Sequence, residues 1–441
     1  MGIAVTTIAI GNLSADNVKS LVAEALGMEG EEDAVSTLAL TVHDKTEGNA
    51  FFVLLFLGSL YDDKLLQYSF GVMNWRWDDE IVRARLMTQN VATIMVNKLG
   101  RFEDSSQNIL KVASCLGASF STSVVAMVVE SLSSAEVITP ESFASRVIAF
   151  EEEGLWEREG WEEFYCFSHD QIKSAAFDLI PEAERDAFRH EIGTILMNKL
   201  DPLSLEESLF VVVSLRNCAK SSLPKRERQA LAKMNLRAGL KAAENAAFDT
   251  AAIYFKEGRQ LLGATGWDDD PITMLHLCSE GADACFVMGE VRMMYVLLEL
   301  VLSWDIHVKH KFKLYVVKIR SLQSEGKFQE AIDTAIEVRR QLGLATPPNK
   351  PVSKITVMKE YVKTTRALKN RSANELADLP DLTHERTIMG QRLLELMLTS
   401  TYHAQPSLFP LISFLMVRTS IRHGINASSC VGFGSFGHLL W

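Results

Sequence analysis

Two stretches of this chain align with each other without a gap at an offset of 80 residues. Glu244–Gly263 reads ENAAFDTAAIYFKEGRQLLG and Ser324–Gly343 reads SEGKFQEAIDTAIEVRRQLG. Phe248 falls on Phe328, Ala251 on Ala331 and Leu262 on Leu342, and a middle copy begins at Gly289-Glu290. An offset that holds two units leaves about 40 residues for each, the length of one helical hairpin. Such a unit cannot bury its apolar face alone, so hairpins must stack on one another. Small residues then let paired helices approach, and the phenylalanine fills the gap between neighbouring pairs. From about residue 185 onward the chain reads as hairpins of this kind, interrupted by Ala345–Pro351 (ATPPNKP).

The unit length is near that of the tetratricopeptide type of array. Composition agrees with a mostly helical protein, because both Pro (11) and Gly (25) are sparse in 441 residues. A chain of this length exceeds one hydrophobic core and implies two to four domains. The net charge of −11 is dispersed, which argues against general affinity for nucleic acid or anionic membranes. The six cysteines are scattered, and none forms a C-x-x-C pair. A reducing, cytoplasmic setting is expected. The start of the chain lacks the basic region of a signal peptide. No apolar run reaches membrane-spanning length, since Leu408–Val417 contains Pro410 and Val291–Leu302 is cut by Arg292 and Glu299.

At the other end, Ile3–Ile10 is almost wholly apolar or Thr, as in a strand buried on both faces. Ser14 is a plausible N-cap for a helix carrying Val18, Leu21, Val22 and Ala25 on one face, and Leu13 with Val18 has the spacing of a hydrophobic staple. A second helix begins with Val35, Leu38 and Val42. The stretch KTEGNAFFV (Lys45–Val53) then sets a Gly-Asn break against a strongly apolar third helix, with Phe51 and Phe52 expected to anchor it in the local core. Trp75 and Trp77 alternate in a short hairpin, and a further helix starts near Asn90.

Residues 104–180 follow a different order. Three helices (Asp104–Leu116, Thr122–Leu132, Pro140–Glu153) precede a hairpin turning at Glu159-Gly160, the order of a winged helix. The third helix holds Glu141, Glu151, Glu152 and Glu153 against Arg146 alone, a net −3. Phosphate backbones would be repelled, so a protein-packing role is expected over DNA reading.

Several patterns invite chemistry. Gly432–Gly437 (GFGSFG) matches G-x-G-x-x-G but lacks a preceding strand and a following acidic residue. Small residues at a tight helix contact explain it better. His307-x-x-His310 has too few neighbours for zinc and reads as solvated surface. The basic run Lys350–Arg371 contains one acid, Glu360, and reads first as a solvated face and second as a site for an acidic partner. In FSHDQIKSAAF (Phe167–Phe177), Ser168 or Asp170 can cap a helix, and an imidazole at its N-terminus suits an anion such as phosphate. A plain capping site is the alternative. No G-x-x-x-x-G-K-[ST], G-x-S-x-G or H-E-x-x-H occurs.

Taken in order, VHDKTEGNAFFVLLFLGSLY, WRWD, NVATIMVNKLGRF, LKVASCLGASF, FSHDQIKSAAFDLIP and NLRAGLKAAENAAFDTAAIYFKEGRQLLGATGW resemble the signal-transduction ATPases of the STAND class. More narrowly, the series resembles the predicted-ATPase segment that sits between kinase, GAF and histidine-kinase or cyclase domains in multidomain proteins. The resemblance runs from about Ile3 to the end. It implies a mainly α fold: a helical lid subdomain, a winged helix, then TPR-like α-superhelical repeats. The implied segments are 1–12, the last strand of a P-loop core; 13–100, the lid; 101–183, the winged helix; 184–345, repeats; and 346–441, further repeats. Carried over by residue, Gly48 and Asn49 with Ala50 form the adenine-side turn, and His169 senses the phosphates with Asp170 beside it. Ala50 departs from the pattern, standing where the class typically has proline, so this turn is less rigid.

The function implied is a regulatory and scaffold segment that couples nucleotide state to partner binding on helical repeats. ADP or ATP with Mg would be bound by the intact protein, with a P-loop core supplied upstream in the same polypeptide and a protein partner on the repeats. This chain alone is expected to bind no cofactor, to hydrolyse no ATP and to engage neither nucleic acid nor membrane. The alternative is a stand-alone helical-repeat adaptor without nucleotide binding.

Overall fold

The computed structural model describes residues 11–71, 73–88, 91–132, 139–160, 163–220, 223–348, 351–369 and 371–440; the expected strand at Ile3–Ile10 lies outside them. The fold is mainly α, with twenty-four α-helices and five short strands among the described residues. The chain divides into two compact units, Met1–Ala219 and Lys220–Trp441.

The first unit opens with α1 (Ala15–Ala25), α2 (Ser36–Thr46) and α3 (Ala50–Asp62), followed by the hairpin β1 (Leu66–Ser69) and β2 (Asn74–Trp77), then α4 (Asp79–Thr88) and α5 (Val91–Leu99). Ser14 caps α1 by accepting the Asn17 N–H. The apolar positions at helical spacing (Val18 and Val22, Leu38 and Val42, Val53, Phe56 and Leu60) meet in one buried cluster. The expected tryptophan hairpin is present, pairing Leu66 with Trp77 and Tyr68 with Trp75. The Trp75 indole donates to the Leu26 carbonyl (2.8 Å), which pins the hairpin to the end of α1.

Next come α6 (Asp104–Leu116), β3 (Ser119–Ser121), α7 (Thr122–Leu132), α8 (Pro140–Glu152), β4 (Trp156–Arg158), β5 (Phe164–Phe167) and α9 (Asp170–Asp178). The helix boundaries match the sequence expectation within one residue. The strand β3 was not foreseen, since three residues reading Ser-Phe-Ser carry no period. It completes an antiparallel sheet in the order β3-β5-β4. Trp156 sits at the centre of this module, with its ring centroid 4.7 Å from Phe120 and 4.8 Å from Phe150. Arg146, the one cation of α8, is occupied by Ser105, Ser106 and Glu103. The helices α10 (Arg185–Lys199), α11 (Pro202–Glu207) and α12 (Leu209–Asn217) close the unit.

The second unit contains α13 (Lys225–Glu244), α14 (Phe248–Leu262), α15 (Gly266–Asp269), α16 (Pro271–Met288), α17 (Val291–Leu302), α18 (Phe312–Ser324) and α19 (Phe328–Gln341). It continues with α20 (Lys354–Leu368), α21 (Ala373–Ala377), α22 (Glu385–Ala404), α23 (Phe409–His423) and α24 (Ala427–His438). Sequence neighbours pack as hairpins: α13 on α14, α16 on α17, α18 on α19 and α22 on α23, with α14 on α16 and α19 on α22 joining successive pairs.

The internal repeat is written most clearly in three turns. In each, one residue takes the left-handed conformation: Ala246 (φ 59°), Gly289 (φ 78°) and Gly326 (φ 74°). The residue after it donates back across the helix end, Ala247 to Ala242 (2.9 Å), Glu290 to Cys285 (2.8 Å) and Lys327 to Leu322 (2.8 Å). This is a Schellman closure used three times. The second helix starts two residues beyond each left-handed residue, so the middle copy does begin at Gly289-Glu290. Ala246 is the exception in side chain only, and its Cβ carries a left-handed penalty. Ala246→Gly is therefore expected to raise the stability of this unit by about 0.5 kcal/mol, once the greater freedom of glycine in the unfolded chain is subtracted. A urea titration of the two proteins side by side checks the sign.

The G-x-G-x-x-G match lies inside α24, with neither strand before it nor loop within it. Only Gly432 serves close packing, since a Cβ there would come within 2.8 Å of the Met416 Cβ; Gly434 and Gly437 face open space. The expected tight contact thus rests on one glycine.

Candidate functional site

The turn before α3 is built around Gly48. Its φ of 76° favours glycine, and a Cβ there would collide with the Leu13 carbonyl oxygen. The Leu13 N–H donates to the Gly48 carbonyl (2.7 Å), so the segment leading into α1 lies directly on this turn. Asn49 is the N-cap of α3 and accepts the Phe52 N–H through its side chain (3.2 Å). Ala50 is exposed and is the first helical residue, a position where proline is well tolerated because the N–H it lacks is an orphan donor there.

Phe51 and Phe52 do not anchor α3 as expected. Both are half-buried, and the helix is held by Val53, Phe56, Leu57 and Leu60. Facing the solvent side of its own core frees Phe51 for another contact. Its ring lies flat on the imidazole of His169, centroids 4.1 Å apart and planes 5° from parallel.

His169 is placed by the end of β5. Ser168 donates its hydroxyl to the Gly154 carbonyl (2.5 Å) and its N–H to the Leu155 carbonyl (3.1 Å), fixing where the strand stops. Neither Ser168 nor Asp170 caps α9, contrary to the sequence expectation. His169 does, in an extended conformation (φ −153°, ψ 143°), accepting the Gln171 N–H at Nδ1 (3.1 Å). Serine is drawn away by its two carbonyl partners, and the imidazole takes the vacant role. With Nδ1 an acceptor, the neutral ring carries its proton on Nε2 and keeps that atom as its one donor. Asp170 is exposed in the first turn, where the helix dipole favours a negative side chain. It also lines a cleft with Ser114, Cys115, Lys173, Phe177 and Arg189.

The two predicted groups therefore converge. Phe51 adjoins the Gly48-Asn49-Ala50 turn, His169 caps α9, and α5 packs against both α3 and α9. Ion pairs brace the bridge, Arg101 with Asp63 (3.1 Å) and Lys98 with Glu153 (3.1 Å). Two helix N-termini, each with free N–H groups and a positive dipole end, thus meet through one aromatic stack. Sequence reasoning missed Phe51 as the partner of His169. The signal was present only as an aromatic residue on the exposed side of an apolar helix.

The other candidates come apart. His307 uses Nδ1 to accept the Lys309 N–H (3.2 Å), and no group of three metal-ligating side chains occurs among the described residues. Burial pushes the Cys115 and Cys278 thiols up to about 11, which leaves little thiolate for nucleophilic chemistry near neutral pH. No described helix is long and apolar enough to cross a membrane.

No family model matches this chain. Among curated proteins it is similar to hybrid signal transduction histidine kinase G of Dictyostelium discoideum, at 24% identity across 98% of the chain. The chain spans only 14% of the length of that protein. Among solved structures it is similar to a signal transduction ATPase with numerous domains (STAND) protein with a tetratricopeptide repeat sensor, from Pyrococcus horikoshii. That alignment covers 96% of this chain and 62% of the other at 13% identity, with a TM-score of 0.28, so the two do not superimpose as wholes.

Proposed function

We propose that this chain is the regulatory and scaffold part of a STAND-type signalling ATPase, and that it couples nucleotide state to partner binding on its helical repeats. In this reading 13–100 is the lid and 101–183 the winged helix, with repeats beyond. A P-loop core in the same polypeptide supplies the nucleotide site, with Mg, against the Gly48-Asn49-Ala50 turn and His169. The observation that carries the proposal is the Phe51–His169 stack, because it sets the turn and the imidazole at one seam where helix N-termini favour an anion. The similarity to a protein named as a signalling histidine kinase supports the same setting.

Within that scheme ADP holds lid, winged helix and core closed, and a ligand of the repeats favours the open state. Moving such an equilibrium from 1:99 to 99:1 takes about 5.5 kcal/mol of differential binding. A nucleotide and a repeat-bound partner acting together can supply that much. His169 contributes one hydrogen bond from Nε2 to phosphate, worth about 1.5–3 kcal/mol when the acceptor is charged.

In a polypeptide that carries the P-loop core, His169→Ala should weaken ADP binding about tenfold or more. It should also cost about 1 kcal/mol of folding stability, because the α9 cap is lost. Calorimetric titration of ADP into both proteins makes the comparison. Equal affinity returns His169 to a capping role; no binding by either protein leaves the helical-repeat adaptor as the better reading.

A further inference from the structure

We propose that the outward face of α20 is a docking surface for an acidic amphipathic helix of another protein. The helix is attached by one side only. Val357, Tyr361 and Leu368 pack into the core of the second unit, and Thr364 is fully buried. Arg418 of α23 completes the attachment, reaching the Glu360 carboxylate (2.7 Å) and the Thr364 hydroxyl (2.8 Å).

The opposite side is apolar where a solvent face should be polar. Ile355 is 70% exposed, Met358 61% and Val362 38%. Their spacing of three and four residues sets them in one row along the helix. Single exposed apolar side chains need no explanation, but a row of three bordered by cations does. Lys354, Lys359, Arg366 and Lys369 are exposed beside it, and none is in an ion pair with a described residue. The single acid of 350–371, Glu360, is already held by Arg418 and Lys363 (2.6 Å). This segment therefore carries seven basic residues and one spent acid in a chain whose net charge is −11. The charge pattern identifies the occupant.

A partner helix with apolar residues at i, i+3 and i+7 and carboxylates on their flanks matches both row and border. Methionine at the centre suits such a contact, because its flexible thioether adapts to the facing side chains. An anionic lipid surface fits less well. Interfacial helices bury a broad stripe containing Trp, Phe or Leu, whereas this row has three side chains and no aromatic ring, and the rest of the acidic chain would be repelled.

The test uses the full chain and a fluorescent helical peptide of about 20 residues, with leucines at that spacing and glutamates beside them. A lysine-for-glutamate version of the peptide and phosphatidylserine vesicles are the comparators. Saturable binding of the acidic peptide is expected, weakened by salt and lowered about tenfold by Lys359→Glu with Arg366→Glu and, separately, by Met358→Asp. These side chains are exposed, so unchanged thermal melts should accompany the loss. Failure to bind the acidic peptide, equal binding of the basic one, or full affinity in both variants overturns the proposal. Vesicle binding without peptide binding overturns it in favour of a membrane surface.

Discussion

Phe255→Ala is expected to lower the unfolding free energy of the Lys220–Trp441 unit by about 3–5 kcal/mol. The ring is 1% exposed and fills the space between successive hairpins. On one side it presses on Gly239 of α13, where a Cβ would collide with it, and on the other its own Cβ lies 3.6 Å from where the Gly281 Cβ of α16 would be. Removing the ring opens a cavity walled by three helices that the glycines cannot refill. In a repeat array stability comes from contacts between neighbours, so damage at one joint loosens the pairs on both sides. Urea unfolding followed by far-UV circular dichroism reads the loss. A change below about 1 kcal/mol would mean that the hairpins do not depend on this joint.

Gly48→Val should cost about 3 kcal/mol or more in the first unit. A β-branched residue at φ 76° is strained by its own backbone. Its Cβ also falls on the Leu13 carbonyl, so either the turn opens or the 11–14 segment leaves it, with loss of the 2.7 Å Leu13–Gly48 hydrogen bond. Thermal unfolding followed by tryptophan fluorescence is a suitable readout when compared with a Trp75→Phe background, because the Trp75 indole bonds to Leu26 at the far end of α1. Gly434→Val is the contrast: that glycine faces open space within α24, and its substitution should be nearly silent.

How far the sequence announced all this differs from element to element. Helices with a strong period and a recognisable start were legible almost to the residue: α6 and α7 match their expected spans, and Ser14 caps α1 as read. The repeat was legible because Phe248, Ala251 and Leu262 recur as Phe328, Ala331 and Leu342, while the left-handed residue that each turn demands is glycine only at Gly289 and Gly326. Contacts between distant segments were not. β3 is defined by its pairing with β5 rather than by its own residues, and the stack of Phe51 on His169 joins two modules with no shared local pattern. Arg339 gives no local sign either. It looks like a helix-surface cation, yet it is 4% exposed, donates through Nη2 to the Ala345 carbonyl (2.7 Å) and has its pKa drawn down to about 10 by burial. The sequence marks His169 by its place at a helix start, and the structure adds what orients it, the Gln171 N–H on Nδ1 and the Phe51 ring.

In the proposed function, the Gly48–Phe52 turn and the His169 cap act as one seam toward a nucleotide. Amide hydrogen exchange in a polypeptide that joins this chain to a P-loop core tests it with and without ADP. The informative amides are Phe52, which donates to Asn49 Oδ1, and Gln171, which donates to His169 Nδ1. ADP is expected to slow exchange at both sites together, and Phe51→Ala to reduce the protection of both. ADP bound with neither site protected, or with only one of them responding, would contradict the account.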